Sequence, residues 1–109
     1  MWSELFTTST ADKVLLYLNQ YEEGYALGIA RTFKLPVSQI QRQLLRFEKA
    51  GVLASQLKGK TRVFVWNPRC YYLKELRALL KRITQFLPKE IIDAYFMERR
   101  RPRRTGKPL

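Results

Sequence analysis

The sequence predicts a mainly α-helical chain with a small β-hairpin, in which a helix-turn-helix is followed directly by the hairpin and then by a long C-terminal helix. Three observations carry that expectation. Val37, Ile40, Leu44 and Phe47 recur at spacings of three and four, as on a helix with one buried face. A shorter helical pattern ends just ahead of it at Lys34, Leu35 and Pro36, a connection short enough to be the turn of a helix-turn-helix. Just after it, Val52 to Leu57 and Thr61 to Trp66 are β-prone runs separated by Lys58, Gly59 and Lys60, the pattern of a hairpin.

Each element has its own local warrant. Ser9 and Asp12 stand at capping-box spacing, and Val14, Leu15, Leu18 and Tyr21 then mark an apolar face, so a first helix opens at Ser9 and Gly24 is expected to close it. Trp2, Leu5 and Phe6 ahead of it are three large apolar groups in six residues, expected to pack on the core or on a second subunit. Tyr25 and Ala26 suggest a short strand. A second helix over 26–34 buries Ala26, Ile29, Ala30 and Phe33, with Gly28 weakening it by up to about 1 kcal/mol relative to Ala. The third helix starts between Pro36 and Ser38, Ser38 and Gln41 offering a second capping-box spacing, and Gly51 follows its last periodic residue, where a left-handed cap costs little.

After the hairpin, Asn67 and Pro68 lead into a helix over about 71–87. Leu73, Leu76, Leu80, Ile83 and Leu87 are spaced 3, 4, 3, 4, a coiled-coil seam, and Tyr72, Leu79 and Phe86 widen its apolar surface. In so small a chain such a stripe is expected to serve a symmetry mate as well as the chain's own core, so these five residues are the expected dimer interface. Pro88 kinks or ends that helix, and a short amphipathic helix over 88–98 carries Ile91, Ile92, Tyr95 and Phe96, which could complete the dimer surface. The organisation is therefore one domain over 1–87, that short helix, and a basic tail over 99–109 expected to be disordered when free.

With 109 residues and 21 Lys and Arg against 9 Asp and Glu, the chain carries a net charge of +12, which favours a polyanionic partner. The excess leans toward the C-terminus, +4 over residues 1–66 and +8 over 67–109. No apolar run approaches the roughly 20 residues needed to span a membrane, and the start, MWSELFTTST, lacks the regions of a signal peptide, so a cytoplasmic location is expected. Cys70 is the only cysteine and histidine is absent, which rules out an intrachain disulfide and a Cys/His metal site. Cys70 itself is expected to be a buried or half-buried free thiol. No Gly-rich phosphate loop or paired-carboxylate arrangement is present either, so neither an enzyme nor a cofactor is expected.

The stretch LGIARTFKLPVSQIQRQLLRFEKAGVLASQLKGKTRVFVWNP resembles the winged helix-turn-helix repressors of the ArsR and MarR type, in which a Leu-x-x-Leu-Glu-x-x-Gly phrase and a β-wing follow the helix-turn-helix. Here that phrase runs from Leu44 to Gly51, with Phe47 in place of the second Leu. The continuation WNPRCYYLKELRALLKRI is similar to a subgroup of small archaeal and bacterial winged-helix proteins, some of them joined to a nucleotidyltransferase domain that these residues do not include. The resemblance covers about residues 5–87. It implies a homodimer that sets two recognition helices into successive major grooves of double-stranded DNA; the cysteine and histidine ligands of the metal-sensing members have no counterparts here.

The expected function is that of a transcriptional regulator, a homodimeric repressor bound to double-stranded DNA. On the exposed side of the third helix, Ser38, Gln39, Gln41, Arg42, Arg46 and Lys49 are the expected DNA contacts, Arg42 reading a base and Arg46 and Lys49 holding phosphates. Lys58, Gly59, Lys60 and Arg62 form a basic wing tip suited to the phosphate backbone, and Arg99, Arg100, Arg101, Arg103, Arg104 and Lys107 form an extended cationic arm suited to a minor groove. Two other classes remain open, an RNA-binding winged helix and an adaptor for a separately encoded enzyme. Nothing in the sequence identifies a small-molecule effector.

Overall fold

The first helix is started by its own side chain: Ser9 Oγ accepts a hydrogen bond from the Asp12 N–H at 3.1 Å, satisfying one of the donors a helix start leaves free. In a computed structural model of the chain, which describes residues 9–96, that helix is α1, Thr10–Tyr21. The other elements are β1 (Glu23–Gly24), α2 (Ala26–Phe33), α3 (Val37–Lys49), β2 (Leu53–Lys58), β3 (Thr61–Trp66), α4 (Leu73–Gln85) and α5 (Lys89–Tyr95). The result is mainly helical, with a three-stranded antiparallel sheet in the order β1-β3-β2. Trp2, Leu5 and Phe6 lie outside the described residues, as does the arginine-rich tail.

Two local expectations are corrected at the end of α1. Glu22, not Gly24, takes the left-handed position that ends the helix, at φ 73°, and the short strand is Glu23–Gly24, not Tyr25 and Ala26. Tyr25 instead precedes α2 as its cap residue. Gly24 is needed for a different reason: a Cβ there would stand 2.9 Å from Tyr17 Cε1 and 3.1 Å from Ile29 Cδ1, so only glycine lets β1 lie this close to α1 and α2. The connection from α2 to α3 is the expected three-residue turn. Lys34 is left-handed at φ 57°, the Leu35 N–H donates to Ala30 O at 3.0 Å, and Leu35 folds back onto the core.

Pro36 caps α3 without a side-chain hydrogen bond, so Ser38 sits inside the first turn and the expected Ser38–Gln41 capping box does not form. The other end is as expected. Gly51, at φ 86°, donates to Glu48 O and Val52 donates to Phe47 O, the paired bonds of a Schellman ending that turns the chain into β2. Lys58 pairs with Thr61, leaving Gly59 and Lys60 as a two-residue turn in which only Gly59 has positive φ, the sign pattern of a type II′ hairpin.

One core collects residues from every helix that follows Ser9. Val14, Leu16, Leu18, Ile29, Ile40, Leu44, Leu53 and Leu80 are its most completely buried side chains. The residues of the expected dimer seam contribute to this core. Leu80, Ile83 and Leu87 are buried in the chain's own core and Leu73 and Leu76 are half-buried against it, because α4 lies along α1 and turns that face inward. The segment after Pro88 is likewise drawn in: Phe96 is buried, the Tyr21 hydroxyl donates to Tyr95 O at 2.8 Å, and the Phe33 ring packs against both Tyr95 and Phe96. It completes this core.

Arg77 holds α4 to the end of α1. Its guanidinium donates to Asn19 Oδ1 at 3.0 Å and to the Glu22 carboxylate, and it lies 5.4 Å from the centre of the Trp66 indole, whose Nε1 in turn donates to Leu18 O. Glu22 is largely exposed, so the ion pair adds little by itself, but the hydrogen bonds at the half-buried helix end add more. Arg77→Ala is expected to destabilise the fold by about 1–2 kcal/mol in chemical denaturation. A loss no larger than that of an ordinary surface substitution would mean that the clamp contributes nothing.

Candidate nucleic-acid interface

The outer side of α3 is a largely polar arc because its buried residues are confined to a narrow stripe. Ile40 and Leu44 are buried and Phe47 is half-buried, whereas Ser38, Gln39, Gln41, Arg42, Arg46 and Lys49 are all exposed, as the spacing predicts. Val37 departs from that expectation. It lies at the edge of the stripe, 43% exposed. Leu45 is an apolar residue within the arc itself, 47% exposed.

The cations on this surface are not equivalent. Arg46 Nη1 donates to Gln43 Oε1 at 3.0 Å and its guanidinium lies 5.6 Å from the Phe47 ring centre, which lays the side chain along the helix. Arg42 and Lys49 make no side-chain hydrogen bond or ion pair among the described residues. The arc has one neighbouring acid, Glu48, and it is engaged: its carboxylate accepts a 2.6 Å hydrogen bond from Ser55 Oγ.

That hydroxyl also accepts from Arg62 Nη1 at 3.0 Å, so Glu48, Ser55 and Arg62 form a relay that ties the end of α3 to the hairpin. Ser55 is the polar residue on the side of β2 that also carries Leu53, and this break in the alternation is the only sequence signal that marks it. Of the four hairpin-tip residues, Arg62 is therefore committed to the relay and Lys58 reaches Glu23 on the outer face of the sheet at 3.4 Å, a weak exposed pair. Gly59 makes the turn. Lys60 alone of the tip cations has no side-chain partner among the described residues.

The surface is thus a helix of 13 residues, about 20 Å long, with a cationic and amide-bearing outer side, followed by a hairpin with a free lysine at its tip. A helix of this width fits a major groove about 12 Å across, and amide and guanidinium groups are the side chains that pair with base edges there. Cys70 is a half-buried free thiol, and among the described residues no group of three His, Cys, Asp or Glu side chains could hold a metal ion. No helix among them is long and apolar enough to cross a membrane. No family model matches the chain, and neither a curated protein nor a solved structure matches it.

Proposed function

We propose that this chain is a winged helix-turn-helix protein of the cytoplasm that binds double-stranded DNA sequence-specifically and regulates transcription as a homodimer, repressing by occupying its operator. The observation that carries this reading is the outer arc of α3. It presents Ser38, Gln39, Gln41, Arg42, Arg46 and Lys49 to solvent, and its one neighbouring acid is tied to Ser55. The three-residue turn between α2 and α3, and the hairpin that follows α3 directly, support the same reading. In it, α3 is the recognition helix, Arg42 reads a base, Arg46 and Lys49 hold phosphates, and Lys60 at the wing tip meets the adjoining backbone.

A gel-shift comparison of duplex DNA with structured RNA at matched salt tests the partner. Duplex is the expected preference, and tighter binding to RNA would overturn the reading. The tail adds a second measurement. Arg99, Arg100, Arg101, Arg103, Arg104 and Lys107 are six cations with no acid among them, and deleting residues 99–109 should flatten the slope of log K against log salt by about 0.9 for every phosphate that the arm neutralises. An unchanged slope would show that the arm does not touch DNA.

A further inference from the structure

We infer that α4 carries a self-complementary seam through which two copies of this chain pair antiparallel, with Leu79 on the two-fold axis. The inference rests on the dimeric reading above and supplies the surface that reading lacks, since Leu73, Leu76, Leu80, Ile83 and Leu87 are turned to the chain's own core. At 100° per residue α4 has three sides. One packs in the core, and a second carries Lys74, Arg77 and Lys81 beside the end of α1. The third is exposed and holds Leu79, with Tyr72 and Phe86 at the two caps of α4, seven residues to either side; the three are 38% (Tyr72), 49% (Leu79) and 61% (Phe86) exposed, with Glu75 and Arg82 between them.

These five positions have the 3, 4, 3, 4 spacing of a helix-pairing seam, displaced around α4 from the buried one. Their order decides the occupant. Tyr72 stands seven residues before Leu79 and Phe86 seven after it; Glu75 stands four before and Arg82 three after. In an antiparallel pair centred on Leu79, Tyr72 therefore meets the partner's Phe86 and Glu75 meets the partner's Arg82, twice over by symmetry. A parallel pair would set Glu75 against Glu75 and Arg82 against Arg82. A second copy presents the mirrored charge order automatically, and any other helix would have to reproduce it.

The monomer leaves these groups ready for that contact. Neither Glu75 nor Arg82 has an ion-pair partner among the described residues, and the Arg82 guanidinium lies 5.9 Å from the Phe86 ring centre, held at the seam by its own aromatic neighbour. Tyr71, whose ring stands 5.0 Å from that of Tyr72 in an edge-on arrangement, extends the apolar end. Three positions on a helix about 20 Å long and two at its caps make a small interface, so the dimer is expected to be reversible and dependent on concentration.

Sedimentation equilibrium on the full chain, from micromolar to sub-millimolar concentration, tests the seam. Wild type is expected to dimerise. Glu75→Arg and Arg82→Glu should each weaken association at least about tenfold by setting like charges opposite one another, and the double swap should restore it. Leu79→Glu should give a folded monomer by circular dichroism, since the site is exposed. A wild-type monomer throughout the range, or a dimer as tight in Glu75→Arg as in wild type, overturns the inference. Duplex binding measured in parallel by fluorescence anisotropy separates the two readings. Duplex binding by a chain that the charge changes leave unaffected refutes the seam alone, whereas charge-dependent dimers that do not bind duplex refute the DNA reading alone.

Discussion

Replacing Leu80 with alanine is expected to lower the unfolding free energy by about 2–5 kcal/mol, whereas the same change at its neighbour Leu79 should cost less than about 0.5 kcal/mol. Leu80 is 0% exposed in the core and Leu79 faces solvent, so adjacent leucines on one helix report opposite sides of it. Small domains are stable by only about 5–15 kcal/mol, so the loss at Leu80 is a large fraction of the whole, and the melting temperature should fall by about 10 °C or more, at about 4–8 °C per kcal/mol. Thermal and urea unfolding followed by circular dichroism at low protein concentration would measure both variants. Equal losses would mean that α4 does not present these two faces as described.

Replacing Arg42 with alanine is expected to weaken binding to a selected duplex site by about 1–3 kcal/mol, roughly five- to 150-fold, with little change on random duplex. Arg42 is exposed within the arc and free of side-chain partners among the described residues, so its guanidinium is available for a bidentate contact to guanine. Arg46→Ala should behave differently. That side chain is laid along the helix by Gln43 and Phe47, in a position suited to phosphate, and its loss should be smaller and similar on both duplexes. Titrations of selected and random duplexes at one salt concentration distinguish the two, and equal losses from Arg42→Ala would make it another phosphate contact.

The parts of α3 that are legible in the sequence depend on local rules. Ile40 and Leu44 are buried and Arg42 and Lys49 exposed because an isolated helix already separates those positions by angle. Gly51 and Gly59 take positive φ where the chain must reverse, which is a property of the residue. The misplaced features depend on neighbours. Glu22 ends α1 in place of Gly24 because Gly24 is required where β1 passes close to Tyr17 and Ile29, a contact between elements that no local pattern encodes. Ser55 and Arg77 read as ordinary polar residues in the sequence, since their partners, Glu48 and Arg62 for the one and Asn19, Glu22 and Trp66 for the other, come from other elements of the chain.

The order of the elements, the cap at Ser9, the hairpin at Gly59 and the chemical character of each helix face are legible before any packing is known, because periodicity, capping and turn chemistry act within a few residues. Which face meets which neighbour depends on packing between elements. Two apolar seams run along α4, one through Leu73, Leu76, Leu80 and Ile83 and one through Tyr72, Leu79 and Phe86, and both satisfy helical spacing equally well. The first is richer in leucine and carries no charge, so burying it against α1 removes more apolar surface from water at no cost in desolvated ions; the second, interrupted by Glu75 and Arg82, is left facing out.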